Sequence, residues 1–282
     1  MRVGIVCDST CDLGPTWLAA HDVTMVPLKV LFGDDTYRDW VDMQPEEFFA
    51  RLASSPVLPK TSQPSPAEFE DAYRTLAESG AEEIVSIHLS AALSGTFGSA
   101  SIAAENSPVP VRLVDSRLVS TACGLVVKAA VEARDAGQDA AGVQAAAERT
   151  AANTQLFFVL DTLEYLVRGG RAGKAQGLAA ALLDIKPVLR IDETGVVAPF
   201  KRARGLKRAL AELAAHVAED AAGRKLRIAL LHACRPQLAA ELGEAIAAAG
   251  VDFVREDDVL LGAVIGTYAG PGAVGVAYLP LD

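Results

Sequence analysis

Three hydroxyl-rich segments hold the residues of this 282-residue chain best suited to contacting a ligand. Asp8-Ser9-Thr10 closes the first apolar run. Lys60-Thr61-Ser62-Gln63-Pro64-Ser65-Pro66 is stiffened by two prolines, and Leu93-Ser94-Gly95-Thr96 follows the apolar run at 84–89. Nucleophilic catalysis needs a base beside the hydroxyl, and the G-x-S-x-G turn is absent because Ala92-Leu93 precedes Ser94. His88 and His232 lie on strand-like runs, where a core histidine with satisfied hydrogen bonds is the ordinary finding. The hydroxyls therefore fit neutral hydrogen bonding better than hydrolysis. Each also has a structural reading. Asp8, Ser9 and Thr10 suit turns, Thr61 suits a loop, and Ser94 suits the cap of its own helix. A helix opening there would also expose the Gly95 and Thr96 N–H groups as an anion site.

Other motifs narrow the chemistry. Cys7, Cys11, Cys123 and Cys234, with His21, His88, His216 and His232, show no zinc-like spacing or disulfide framework. Buried free thiols in a reducing cytoplasm are the expectation. In the segment 163–177 a short helix meets Gly169-Gly170, a helix stop, and then Arg171 and Lys174, without the order of a Walker loop. Lys201, Arg202, Arg204, Lys207 and Arg208 crowd into a chain of net charge −10. They fall where a helix should begin after Gly205, opposing its macrodipole. Such a run reads as a solvated face or as a docking surface for an acidic partner.

The elements that must position these residues alternate. Strand-like runs "RVGIV", "VTMVPLKVLF", "EIVSIHL", "VRLVD", "LFFVL", "RIALLHA" and "VGVAYL" are separated by helical patterns. Ser65-Pro66-Ala67-Glu68 is a capping box that opens a helix to about Ser79. Pro45, followed by Glu46 and Glu47, opens another helix, and Pro236 a third towards Gly250. The pattern predicts an α/β protein with largely parallel sheets, divided near residue 150 into two closely packed domains, 1–150 and 151–282. The Ala-rich stretch 129–152 reads as two helices broken at "AGQD".

Composition agrees. The chain is 51% hydrophobic, enough for two cores and an apolar cavity, and its acidic balance argues against binding a phosphate backbone. The N-terminal apolar run is too short for a signal peptide. Residues 259–281 carry no charge, but Pro271 and five glycines would break a bilayer span. A buried helix, a turn and a final strand fit better.

The segments "DST", "KTSQPSP", "LSGT", "TLEYLVRGGRAG" and "GTYAGPGAVGVAYLP", in this order, give a chain that resembles the DegV family from end to end. These are bacterial fatty-acid-binding proteins that include the FakB subunits of fatty acid kinase. The resemblance implies a lipid site between two α/β domains, with the carboxyl among hydroxyls and the acyl chain in an apolar tunnel. By position it assigns Thr61 and Ser94 to the carboxyl, with Ser62, Gly95 and Thr96 beside them. Arg171 and Arg204 match basic positions associated with kinase docking. Tyr268 stands where the family commonly has a carboxyl-contacting His. A phenol still donates a hydrogen bond but is not cationic at neutral pH.

Three functional readings follow. The first is a cytoplasmic, non-enzymatic carrier of long-chain fatty acids such as palmitate or oleate. It has no cofactor and presents the carboxyl to a separate ATP-dependent kinase. The second is an enzyme acting on a small phosphorylated or carboxylated metabolite at a Ser94/Thr96 anion site, with Asp8 as base. The third is a regulatory protein working through the basic segment 201–208. Cavity shape separates the first two, since a metabolite site is compact and polar whereas a carrier holds a long, dry tunnel.

Overall fold

The computed structural model describes residues 2–178 and 185–281. The first half runs β1 (Val3–Asp8), α1 (Gly14–Ala20), β2 (Val23–Val26), β3 (Lys29–Phe32), β4 (Asp35–Arg38), α2 (Pro45–Ser54) and β5 (Lys60–Ser62). It continues through α3 (Pro66–Glu78), β6 (Glu83–His88), α4 (Thr96–Ala104), β7 (Val111–Asp115), α5 (Ser120–Asp135) and α6 (Ala140–Asn153). The second half runs β8 (Gln155–Val159), α7 (Glu164–Arg168), β9 (Ile185–Ile191), β10 (Val197–Arg204), α8 (Leu206–Ala221) and β11 (Leu226–His232). It ends with α9 (Pro236–Ala248), β12 (Phe253–Arg255), β13 (Val259–Leu260), α10 (Ala263–Ala269) and β14 (Val274–Pro280).

A parallel sheet of order β2-β1-β6-β7 and a seven-stranded sheet of order β10-β9-β8-β14-β11-β12, with β13 also on β11, form the two main layers. Helices α5 and α6 pack against strands of both, so they form a shared middle layer. Side-chain alternation, with its period of two, gives each sheet two faces. Along β8, Leu156 points into the middle layer, while Phe157 and Val159 pack under α8 and α9 with Leu213 and Ile246. Along β1, Ile5 and Cys7 face the middle, whereas Val6 packs outward with Phe69 and Tyr73 of α3. The third sheet, β4-β3-β5, covers one end and sits beside α10.

The capping box is present. Ser65 accepts from Glu68 N and Glu68 reaches back to Ser65 N, opening α3 at Pro66. Pro45 and Pro236 likewise start α2 and α9. No helix among the described residues is long and apolar enough to cross a membrane; the uncharged C-terminal stretch is β13, the seven-residue α10 and β14.

Four local readings are corrected. The seven-stranded sheet is mostly antiparallel, because β9 and β10 form a hairpin and β14 inserts antiparallel between β8 and β11. "VTMVPLKVLF" divides at Pro27 into β2 and β3, which enter different sheets, since proline has no ladder N–H to give. Thr61 and Ser62 lie in strand β5, paired with β3, instead of a loop. Lys201, Arg202 and Arg204 belong to β10, so only Lys207 and Arg208 stand in the first turn of α8. Opposition to the α8 macrodipole is accordingly confined to Lys207 and Arg208.

Candidate functional site

A cavity of about 360 Å³ lies where the two sheets, α5 and α10 meet. Helix α10 lines it with Val264, Ile265, Tyr268 and Ala269, a single stripe along the helix, extended by Leu261 just upstream. Opposite, β8 and the residue after it contribute Leu156, Phe158 and Leu160 by alternation. Ile191 and Val197 come from the β9–β10 hairpin and Leu231 from β11. Leu28, Leu89, Leu93 and Val119 close the wall from the first half. Among the described residues the polar lining consists of five hydroxyl residues (Thr61, Ser62, Ser94, Ser120 and Tyr268) with Gln63 and Arg171.

Six of these seven gather at one end. Thr61 Oγ1 and Tyr268 OH share a hydrogen bond of 2.5 Å across 207 residues of sequence. The Tyr268 ring lies so close to Gly169 that a Cβ there would come within 2.4 Å of it. The Arg171 guanidinium sits 5.2 Å from the ring centroid, within cation–π range. Arg171 is held by its Nε on Leu93 O (3.3 Å) and its Nη1 on Gly169 O (2.9 Å). Tyr268 therefore faces the cavity and is clamped there. Gln63 donates to Ser99 Oγ at 3.0 Å and lies against Gly95, where any side chain would collide with it.

The structure thus brings Thr61, Ser62, Ser94 and Tyr268 together on one cavity. Gly95 and Thr96 do not line it. Gly95 is the N-cap of α4, one residue later than expected, and Thr96 is buried. The Thr96 N–H is not free for an anion, since it donates to Ser94 Oγ at 3.3 Å, and the two hydroxyls share a bond of 2.9 Å. Arg204 is exposed on β10, away from the lining. Arg171, assigned by resemblance to a docking surface, stands at the cavity rim, because the helix stop at Gly169-Gly170 turns the chain back over Tyr268.

Asp8 is not placed to serve as a base. It is buried and accepts from Thr10 N (3.0 Å), Thr10 Oγ1 (2.6 Å) and Leu89 N (2.9 Å), with His88 Nδ1 at 3.1 Å. His88 Nε2 meets Ser86 Oγ at 2.7 Å, and Ser86 meets the Tyr73 hydroxyl at 3.0 Å. This chain links strands inside the parallel sheet. His88 is the satisfied core histidine expected; His232 is buried with Nδ1 unpartnered among the described residues, and burial lowers its pKa. Cys7, Cys11 and Cys123 are buried free thiols, and burial pushes Cys123 well above its ordinary pKa, which keeps it inert; Cys234 is exposed, contrary to expectation. Among the described residues no cluster of three His, Cys, Asp or Glu is arranged to hold a metal ion.

Two buried carboxyls hold the start of α10. Asp12 Oδ1 accepts from Gly262 N (3.0 Å) and Trp40 Nε1 (3.3 Å), and Asp39 Oδ1 accepts from Ala263 N (2.8 Å). Burial raises their pKa values, to about 8 for Asp12 and about 7 for Asp39. They aim the helix that carries Tyr268 into the cavity.

Sequence reasoning missed Gln63 and Ser120 as lining residues. Gln63 sits within a segment that was singled out, and its proximity to the hydroxyls was the available signal. Ser120 had none. It opens α5 with a left-handed backbone (φ 53°) that only the surrounding structure imposes.

Comparison with known proteins agrees with this architecture. A DegV domain-containing protein of Streptomyces coelicolor is 40% identical over 98% of this chain and 97% of its own. A solved structure described as fatty acid binding of a DegV family protein from Thermus thermophilus superposes with a TM-score of 0.93 at 36% identity, covering all of both chains. A structure described as a stearic acid-binding protein from Eubacterium ventriosum superposes at 0.87, with 27% identity over 99% of this chain and 98% of that one. The family model described as an uncharacterised protein of the DegV family matches residues 2–281, and with a fold shared over the full length this chain belongs to the DegV family.

Proposed function

We propose that the protein is a non-enzymatic carrier of long-chain fatty acids, of the palmitate or oleate class, in the cytoplasm. It presents the carboxyl to a separate ATP-dependent kinase for conversion to acyl phosphate. On this reading Thr61, Ser62, Ser94 and Tyr268 receive the carboxyl at the junction of two domains divided near residue 150. Arg171 completes the rim, and Arg204 belongs to a surface that meets the kinase.

The observation that carries the reading is the cavity. Apolar side chains make up most of its wall, and its polar groups cluster at one end beside an exposed arginine. Hydroxyl contacts contribute about 0.5–1.5 kcal/mol each and cannot supply tight binding. Burying fourteen methylenes at ~0.8 kcal/mol each gives roughly 11 kcal/mol gross, before ordering costs. The tail binds and the hydroxyls orient. The metabolite-enzyme reading is disfavoured, because its base, Asp8, is saturated by hydrogen bonds off the cavity.

Protein purified from a bacterial host is expected to carry fatty acid detectable by mass spectrometry of its organic extract. Delipidated protein that fails to take up palmitate or oleate would overturn the reading. A Thr61→Ala/Ser94→Ala double variant should retain its lipid and its fold but lose roughly tenfold or more in kinase-coupled acyl phosphate formation, from two lost orienting bonds. Full turnover by that variant in a reconstituted assay would show the head group lies elsewhere.

A further inference from the structure

We infer that the cavity holds a second polar subsite at Ser120, which receives an oxygen carried midway along the acyl chain. The ligand class then extends to mid-chain hydroxy fatty acids, an inference that rests on the carrier reading. Among the described residues Ser120 is the one polar lining residue outside the Thr61–Tyr268 cluster, and it is 1% exposed. Its hydroxyl makes a single hydrogen bond among the described residues, donating to Asp12 Oδ2 at 2.7 Å. A serine oxygen so engaged keeps acceptor capacity for a second partner.

The position follows from α10. The carboxyl that holds Ser120 also accepts from Gly262 N, at the start of that helix, whereas Tyr268 lies in its last turn. Six residues at 1.5 Å of rise separate the two ends by about 9 Å. An extended chain of single bonds advances about 1.2 Å per bond, so the two ends of α10 stand roughly seven to eight bonds apart along it. An oxygen at about the ninth carbon, counted from the carboxyl, falls beside the end that Ser120 adjoins. Elsewhere along the aliphatic wall that oxygen would be buried without a partner, which weakens binding roughly tenfold to a hundredfold.

The backbone at Ser120 supports a role for the hydroxyl. With φ at 53° the position favours glycine, yet a serine stands there, its hydroxyl on the Asp12 carboxyl and the residue itself part of the cavity lining. That geometry also supplies a variant that the backbone accommodates, Ser120→Gly, beside Ser120→Ala.

The test titrates delipidated full-length protein with stearate and with 10-hydroxystearate. Wild type is expected to bind the two within about threefold of each other, and Ser120→Ala or Ser120→Gly to lose about tenfold for 10-hydroxystearate while holding stearate within about twofold. Rejection of 10-hydroxystearate by wild type, at tenfold or weaker than stearate, overturns the inference and leaves the carrier reading standing. Equal losses for both lipids in the two variants overturn it too, by showing Ser120 to be structural. Failure of wild type to bind either lipid removes the carrier reading and this inference together.

Discussion

A Val264→Phe variant is expected to take up fatty acid at least ~100-fold more weakly than wild type while keeping its fold. Val264 is 2% exposed and stands in the first turn of α10, facing the cavity between its neighbours Leu261 and Tyr268 on the same stripe. Enlarging a side chain in a filled core forces strain of about 1–3 kcal/mol. Here the ring enters open volume, so most of that cost is avoided. It would, however, occupy the path of the acyl chain partway along α10. Denying six methylenes their burial forfeits about 5 kcal/mol at ~0.8 kcal/mol each, which is more than a hundredfold in affinity.

The measurement is thermal unfolding with and without oleate, beside lipid content by mass spectrometry. Ligand at a hundred times its Kd stabilises a protein by about 2.7 kcal/mol, so wild type should melt several degrees higher when loaded. The variant should melt near lipid-free wild type and show no rise on adding oleate. Wild-type lipid content in Val264→Phe protein would place the acyl chain somewhere other than this cavity.

Asp39→Asn is expected to raise stability at alkaline pH and flatten its pH dependence. Burial raises the Asp39 pKa from 3.8 to about 7 and the Asp12 pKa to about 8. The folded state therefore binds protons that the unfolded chain releases above pH 4. Stability from this pair is fully present below the unfolded value and is lost as pH rises through the folded values. About three units at ~1.4 kcal/mol each bound the Asp39 effect near 4 kcal/mol, and about 2–4 kcal/mol is the expected range. Asn keeps an oxygen to accept from Ala263 N and never ionises. Between pH 6 and 8.5 the wild-type Tm should fall and the variant's should fall less, with the variant several degrees more stable at pH 8.5. A variant that is less stable than wild type across this range would mean that the ionised carboxylate anchors α10.

Much of the local structure was legible because its causes are local. Ser65 and Glu68 satisfy the first N–H groups of α3 by themselves, and Pro45 and Pro236 set a helical φ at the starts of α2 and α9. The strand runs were readable from apolar content, and the order of the hydroxyl segments pointed to the family that the full-length match establishes. What was not legible depends on partners distant in sequence. Whether β14 runs parallel or antiparallel to β11 is decided by sheet pairing, not by its residues. Arg171 is exposed, as a surface cation would be, but only the turn at Gly170 puts it over Tyr268 at the cavity rim. That Thr96 is buried and bonded to the Ser94 hydroxyl was likewise not readable from the segment.

By itself the sequence determined the alternation of strands and helices, where many of the helices begin, and the supply of neutral hydroxyls and aliphatic side chains. These follow from backbone sterics, capping and hydrophobic periodicity, which act over a few residues. The tertiary structure alone decided that Thr61 meets Tyr268, that Ser120 lines the same space, and that a void remains between the layers. Such contacts depend on how two sheets and a shared pair of helices settle against one another, and no short stretch of chain encodes that geometry.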